Sequence, residues 1–318
     1  MPGYAIGIDL GGTHARAAVI DATGRVRAAC KKAHDQRSPV EIAGVLAQAT
    51  ARAVADAGLA PEEIAAAGVG IAGQIHSGSG VVTNGPNLGW REVPFGALLS
   101  ARVAWPVLLM NDLSAAAWGE WRAGAGEGQD DIFVFFVGSG VGSALILGGR
   151  LYEGASGVAG EVGHVKVVLG GRRCGCGELG CLEAYCGGAN LAARAAEALA
   201  AGRTSVLAGT ARTAADIERA ALSGDELARE FWDDCARWLP MTLANCITLV
   251  NPARVILGGG VLATAPALRA VVRERAFALA STSARTGLCI VDARLGDDAG
   301  VVGAGLRALA GTTSRRTD

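Results

Sequence analysis

The feature that most constrains the fold is a pattern that occurs twice. Residues 4–10 form an apolar run of strand character. Gly11-Gly12-Thr13 breaks it, residues 15–20 resume it, Asp21-Ala22-Thr23-Gly24 turns it, and residues 25–30 continue it. Residues 132–137, the glycine-rich turn 138–142, residues 143–147, the turn Gly149-Arg150 and residues 151–153 repeat the arrangement. Strand, glycine turn, strand, turn, strand in each half predicts a duplicated lobe.

The intervening segments read as α/β. Ser38 as N-cap and Pro39 at the first position open a helix to about residue 57. A buried strand is expected at 66–71, and another at 107–110, ending at Asn111-Asp112 before a helix over 113–121. The polar stretch 73–90 is expected to be a long loop or hairpin, and loops of that kind often carry function. Helices follow at about 189–201, 213–221 and 224–249. A strand at 254–257 runs into Gly258-Gly259-Gly260, then come a helix, a strand at 288–291 and a last helix from about 299. No linker separates the halves, so a hinge with a cleft is expected.

Composition narrows the function. With 318 residues, 51% of them hydrophobic, 19% charged and a mean hydropathy of +0.33, the chain can bury large cores and is not disordered. A net charge of −1 argues against affinity gained by neutralising a phosphate backbone, so no nucleic-acid partner is expected. The uncharged, strongly apolar run 132–149 contains five glycines and two serines and reads as strand–turn–strand, not as a membrane span. The first residues carry no basic segment, so secretion is not expected.

Four groups of residues carry chemistry. In Asp9-Leu10-Gly11-Gly12-Thr13 a strand delivers a carboxylate to its end. Exposed N–H groups at the glycines and the Thr13 hydroxyl suit a phosphate, while Asp9 suits Mg²⁺ through water. A plain hairpin with a capping Asp satisfies the same residues. Gly138-Ser139-Gly140-Val141-Gly142 repeats the logic in the second half, and Gly259 lies in a turn suited to pass beside a nucleobase. Asn111-Asp112 sits where open α/β sheets bind ligands, but Asp there is also an ordinary helix N-cap.

The fourth group is His164, Cys174, Cys176 and Cys181, spaced His-x9-Cys-x-Cys-x4-Cys, with Gly175, Gly177 and Gly180 supplying turns. Three thiolates and one imidazole complete a tetrahedral zinc shell with no open position, which is structural. The alternative is unliganded cysteines with a surface histidine. Thiolate ligands suit a reducing cytoplasm. Glu161 and Glu183 flank this element and are either solvated or part of a polyol pocket, with His164 using one nitrogen for metal and the other for a hydroxyl. Cys30, Cys235, Cys246 and Cys289 are expected as inert core residues. His14, His34 and His76 are expected as ordinary surface or loop residues, and Trp232, Trp238 and Leu239 as core packing of the long helix.

Together these motifs resemble one family. Asp9–Thr13 is similar to a DxGGT phosphate motif, Gly157-Val158-Ala159-Gly160-Glu161-Val162-Gly163-His164 to GxxGExGH, and the stretch from Cys174 to Glu183 to CxCGxxGCxE. The chain resembles the ROK family of the actin-like sugar-kinase superfamily. The resemblance implies two ribonuclease-H-like, actin/hexokinase-type lobes around a central cleft. One lobe would span 1–115, with a helix at about 299–318 packing back on it, and the other, containing the zinc element, 116–298.

It implies ATP-dependent phosphorylation of a hexose 6-hydroxyl, with ATP, Mg²⁺ and structural Zn²⁺ as cofactors. Asp112 matches the general base. Asn87, Asn111, Glu161, His164 and Glu183 match sugar-binding positions. Asp9, Gly11, Gly12, Thr13, Gly138, Ser139, Gly140, Gly142 and Gly259 match nucleotide positions.

The loop Asn87-Leu88-Gly89-Trp90, the short His164–Cys174 spacing and Leu182-Glu183-Ala184-Tyr185 look most like glucokinases. Kinases of N-acetylmannosamine, N-acetylglucosamine or fructose share nearly every motif. A transcriptional regulator of the family would need a DNA-binding segment ahead of Asp9. Ser139 stands where Thr is usual, His14 where Lys is frequent and Gly187 where Ser is common. A homodimer or homotetramer is the expected assembly.

Overall fold

A computed structural model describes residues 3–34, 38–76 and 78–314. The last four residues of the expected closing helix, 315–318, lie outside the described residues. The chain divides into two compact units: residues 1–128, 151–159 and 294–318, and residues 129–150 and 160–293.

In the first unit, β1 (Tyr4–Leu10), β2 (His14–Asp21) and β3 (Val26–Ala33) form an antiparallel meander. α1 (Pro39–Asp56) leads to β4 (Ile64–Ile71), which pairs parallel with β1. Ser38 Oγ accepts from the Glu41 N–H and Pro39 opens the helix, as the sequence predicts.

The stretch expected as a loop or hairpin is a small antiparallel sheet of β5 (Gln74–His76), β6 (Val81–Gly85) and β7 (Trp90–Val93). α2 (Phe95–Ser100), β8 (Val107–Asn111) and α3 (Asp112–Ala123) follow, with β8 parallel to β4. The main sheet therefore has the order β3-β2-β1-β4-β8. One face is covered by α1, whose Ile42, Leu46 and Ala53 are buried against Ile6, Ile8 and Val19.

The second unit repeats the topology. β9 (Ile132–Val137), β10 (Val141–Leu147) and β11 (Arg150–Tyr152) precede a turn-rich stretch with α4 (Glu183–Cys186) and α5 (Gly188–Ala200). Then come α6 (Ala214–Leu222), α7 (Glu226–Val250), β12 (Arg254–Gly258), α8 (Gly260–Thr264), α9 (Pro266–Leu279) and β13 (Cys289–Asp292). The order is β11-β10-β9-β12-β13, the same as in the first unit, with β12 parallel to both β9 and β13. The repeated glycine-turn pattern thus marks a repeated sheet topology. The uncharged run 132–149 is β9, its turn and β10, and among the described residues no helix is long and apolar enough to cross a membrane.

The last helix, α10 (Ala299–Ser314), packs on β1, β4 and α3 of the first unit. It lies so close that a side chain at Gly7 or Gly68 would meet the main chain of Val301 or Ala304. The boundary at 128 is later than the expected 115, and residues 151–159 and 294–298 also group with the first unit. The reason is α3, which packs on α10. Its Glu120 is fully buried and accepts hydrogen bonds from the N–H groups of Ala125, Arg294 and Leu295.

Candidate active site

In the first unit the β1–β2 turn carries the first group. Asp9 is the second-last residue of β1, paired in register with Arg16. Burial pushes its carboxyl above the usual range, against the pull of Arg16 and Lys31. Arg16 itself is held by Asp298 and the Asp297 carbonyl. The Gly11 N–H donates to the His14 carbonyl and closes the hairpin. Among the described residues none accepts from the N–H of Gly12 or Thr13. Those two donors are available to an anion, as the phosphate reading requires. Thr13 Oγ1 lies 2.9 Å from His14 Nδ1, which gives His14 a contact in the turn.

Asn87 is exposed in the Pro86–Gly89 turn between β6 and β7, and its carbonyl oxygen would lie 3.2 Å from a Cβ built on Gly12. Asn111 ends β8 and is itself the N-cap of α3. Its Oδ1 accepts from the N–H groups of Leu113 and Ser114, while its Nδ2 donates to the Gly73 carbonyl. The capping role open to Asp112 in the sequence therefore belongs to Asn111. Asp112 occupies the first helical position, half-buried, with Oδ1 accepting from the Leu113 N–H. A carboxylate in the first turn faces the positive end of the helix.

In the second unit, Gly138, Ser139 and Gly140 form the β9–β10 turn and Gly142 lies in β10. The N-terminus of α5 docks on this turn, with the Gly188 and Ala189 N–H groups donating to the Gly138 and Ser139 carbonyls. Gly259 has φ +87° and caps α8 beside the main chain of Val137. Glu183 enters the turn from α4. Its Oε2 accepts from the Val141 N–H at 2.9 Å, and its carboxylate fills the space left by Gly140.

The metal-like group assembles as the spacing predicts. One ligand atom each from His164, Cys174, Cys176 and Cys181 lie within 4.8 Å of one another. His164 Nδ1 is 3.7 Å from Cys174 Sγ, and Cys176 Sγ is 3.7 Å from Cys181 Sγ. A tetrahedron with metal–sulfur bonds of about 2.3 Å has sulfur–sulfur edges of about 3.8 Å, so the donor set fits zinc. Gly180, at φ +77° and packed on the Val168 carbonyl, turns the chain so that Cys181 faces its partners.

Burial pushes the Cys174 thiol up to about 12. At Cys176 burial is outweighed by the Glu178 N–H, the neighbouring thiols and Lys166, and the thiol is held below its usual range. Lys166 Nζ lies 3.1 Å from Cys181 Sγ.

His164 Nε2 points the other way, 3.7 Å from Glu161 Oε2, so one ring nitrogen faces the sulfurs and the other a carboxylate. Glu183 Oε1 lies 3.9 Å from Cys174 Sγ. Glu161, His164 and Glu183 thus share one neighbourhood with the cysteine loop. Cys186 is buried beside Cys235 and outside this group.

Two expectations about single residues fail. Cys289 is exposed at the start of β13, where an edge strand leaves it uncovered. His34 is buried at 7% exposure, because β3 carries it onto the β1–β2 turn, where Nε2 lies 3.0 Å from the Gly11 carbonyl. No local spacing marks His34, since its partner is 23 residues away.

Comparison with known proteins defines the class. The ROK family model matches residues 5–310, and the chain belongs to the ROK family. It is 33% identical to a glucokinase of Streptomyces coelicolor over 311 residues, covering 95% of this chain and 96% of that one. It is 34% identical to an N-acetylmannosamine kinase of Shigella boydii over 306 residues, covering 95% and 97%. Among solved structures, a ROK family glucokinase from Streptomyces griseus in complex with glucose and AMPPNP superimposes with a TM-score of 0.81 at 35% identity. That match covers 97% of this chain and all of the other. The fold is of the actin/hexokinase type.

Proposed function

We propose that this chain is an ATP-dependent sugar kinase that phosphorylates the 6-hydroxyl of glucose. The observation that carries the reading is the double-faced His164, with Nδ1 toward the Cys174 sulfur of the cysteine cluster and Nε2 toward Glu161. A ring fixed in this way presents one defined nitrogen to a sugar hydroxyl beside the Glu161 and Glu183 carboxylates. The likeness to glucokinases, and to one solved with glucose and AMPPNP, supports glucose and ATP as the substrates.

In this reading Asn87, Asn111, Glu161, His164 and Glu183 bind the sugar. Asp112 accepts the proton of the 6-hydroxyl as that oxygen bonds to the γ-phosphorus of ATP and ADP departs. Such transfers depend on alignment and charge neutralisation, and a placed base adds roughly 10²–10⁴-fold. The N–H groups of Gly12 and Thr13, the Thr13 hydroxyl and the turn carrying Gly138, Ser139, Gly140 and Gly142 take the phosphates, with Gly259 beside the base. Asp9 holds Mg²⁺ through water, in keeping with that ion's preference for one or two carboxylates plus substrate phosphates. His164, Cys174, Cys176 and Cys181 hold zinc, which supplies a closed structural cross-link.

The thiolate ligands suit a reducing cytoplasm, and a homodimer or homotetramer is the assembly we expect. The Shigella boydii likeness favours N-acetylmannosamine as the second substrate to try. A coupled ADP assay with glucose, N-acetylmannosamine, N-acetylglucosamine and fructose tests the reading. We expect the highest kcat/KM for glucose, and a preference for an N-acetylated sugar would overturn the choice of substrate.

A further inference from the structure

The histidine that the sequence leaves unassigned has a defined place. His34 follows β3, and it bonds the Gly-Gly turn twice. Its N–H donates to the Thr13 carbonyl at 2.8 Å. Its ring lies 3.0 Å from the Gly11 carbonyl, and because a carbonyl can only accept, Nε2 carries the hydrogen. The side chain is 7% exposed, and Nδ1 is buried with no hydrogen-bond partner among the described residues. A buried imidazole that leaves one nitrogen unmet is costly, so the bond at Nε2 is the feature that distinguishes it from an apolar side chain of the same size.

The consequence follows from peptide geometry. The Gly11 carbonyl and the Gly12 N–H belong to one planar trans unit and point in opposite directions. Holding the carbonyl toward His34 therefore aims the Gly12 N–H away from it. Glycine pairs otherwise sample many orientations, and this freedom must be lost before an anion is bound. The Cα of Gly12 is backed by Asn87. The turn is thus held at Gly11 by His34 and backed at Gly12 by Asn87, and the Gly12 N–H is left without an acceptor among the described residues.

We propose that His34 is a positioning residue for phosphoryl transfer, pre-aiming the Gly12 N–H at a phosphate of ATP through its bond to the Gly11 carbonyl. The proposal rests on the reading that the 11–13 turn binds the nucleotide phosphates. His34→Phe and His34→Leu remove the donor and keep an apolar filling, while His34→Gln keeps an N–H₂ donor near the position of Nε2.

The measurements are KM for ATP, KM for glucose, kcat, and ADP binding by calorimetry. Loss of one pre-aimed bond is expected to raise KM for ATP and weaken ADP about 3- to 10-fold in the Phe and Leu variants. KM for glucose should stay within about twofold, and the Gln variant should return most of the loss. An ATP KM unchanged in Phe and Leu would overturn the proposal, as would a Gln variant no better than they are. A protein unfolded by both Phe and Leu but not by Gln would assign His34 to fold stability and overturn it too. Asp9→Asn and Thr13→Ala serve as the separate control. If neither alters ATP binding, the phosphate reading of the turn fails. If both do and His34→Phe does not, only the role of His34 fails.

Discussion

Gly12 faces Asn87 with no room to spare for a side chain: a Cβ placed on Gly12 would be 3.2 Å from the Asn87 carbonyl oxygen and 3.4 Å from its Cβ. The turn assigned to phosphate and the loop assigned to sugar therefore back onto each other within the first unit. Gly12→Ala forces that pair apart by a few tenths of an ångström. Since a misplacement of about 1 Å costs on the order of 10²-fold, we expect kcat/KM to fall about 3- to 10-fold, with KM raised for both ATP and sugar. Steady-state kinetics with each substrate varied in turn checks this, and a change confined to one KM would contradict the coupling.

Asp112 is the only acidic residue in the first turn of α3, and its neighbour Asn111 already supplies the cap. Asp112→Asn therefore removes the proposed base without uncapping the helix. The expected result is a kcat lower by roughly 10²–10⁴-fold with sugar affinity near that of the parent. Retention of half the parent kcat would remove Asp112 from the role.

The cysteine loop makes a prediction about metal. Thiols must lose protons to bind it, and Cys174, at about 12, holds its proton tightly in the metal-free protein. Zinc measured by atomic emission should be near one per chain after dialysis at pH 7.5, and should fall as the pH is lowered toward 5. Cys176→Ser should lower zinc content and weaken sugar binding together, because His164 then loses its orientation. Zinc lost with unchanged sugar affinity would separate the metal from the sugar site.

How much of this was legible in the sequence depended on the distance over which the signal runs. The cysteine loop was readable because its four ligands and the Gly180 turn fall within 18 consecutive residues. The two sheets were readable because each opens with a local meander. The small sheet at 74–93 was not, since its strands of three to five residues carry no sustained alternation. The role of Asn111 as cap turned on a helix start displaced by one residue, a margin that propensity does not fix. The bond of His34 to Gly11 and of Lys166 to Cys181 arise from pairings set by strands and turns far along the chain. The placement of α3 in the first unit depends on α10, some 180 residues later.

Asp21 carries a pH dependence. Burial raises its pKa, but the Thr23 N–H and hydroxyl and the Arg25 N–H donate to Oδ1, and Arg27 pairs with Oδ2 at 2.9 Å. These hold the carboxyl below its ordinary range. With the folded pKa lowered, the stabilisation is fully present above the unfolded value of about 3.9 and is lost as pH falls through the folded value. Asp21→Asn should lower the urea midpoint at pH 7, and the gap from the parent should narrow below about pH 4. An equal gap at pH 7 and pH 3 would show that the charge contributes nothing.

Transfer of the γ-phosphoryl group of ATP to a hexose 6-hydroxyl can be followed by phosphorus NMR of the complete reaction. With ATP, Mg²⁺ and glucose, a glucose 6-phosphate resonance should grow in step with ADP and be nearly absent with Asp112→Asn. ADP formed without any sugar phosphate, or no turnover with glucose or any of the three other sugars, would contradict it.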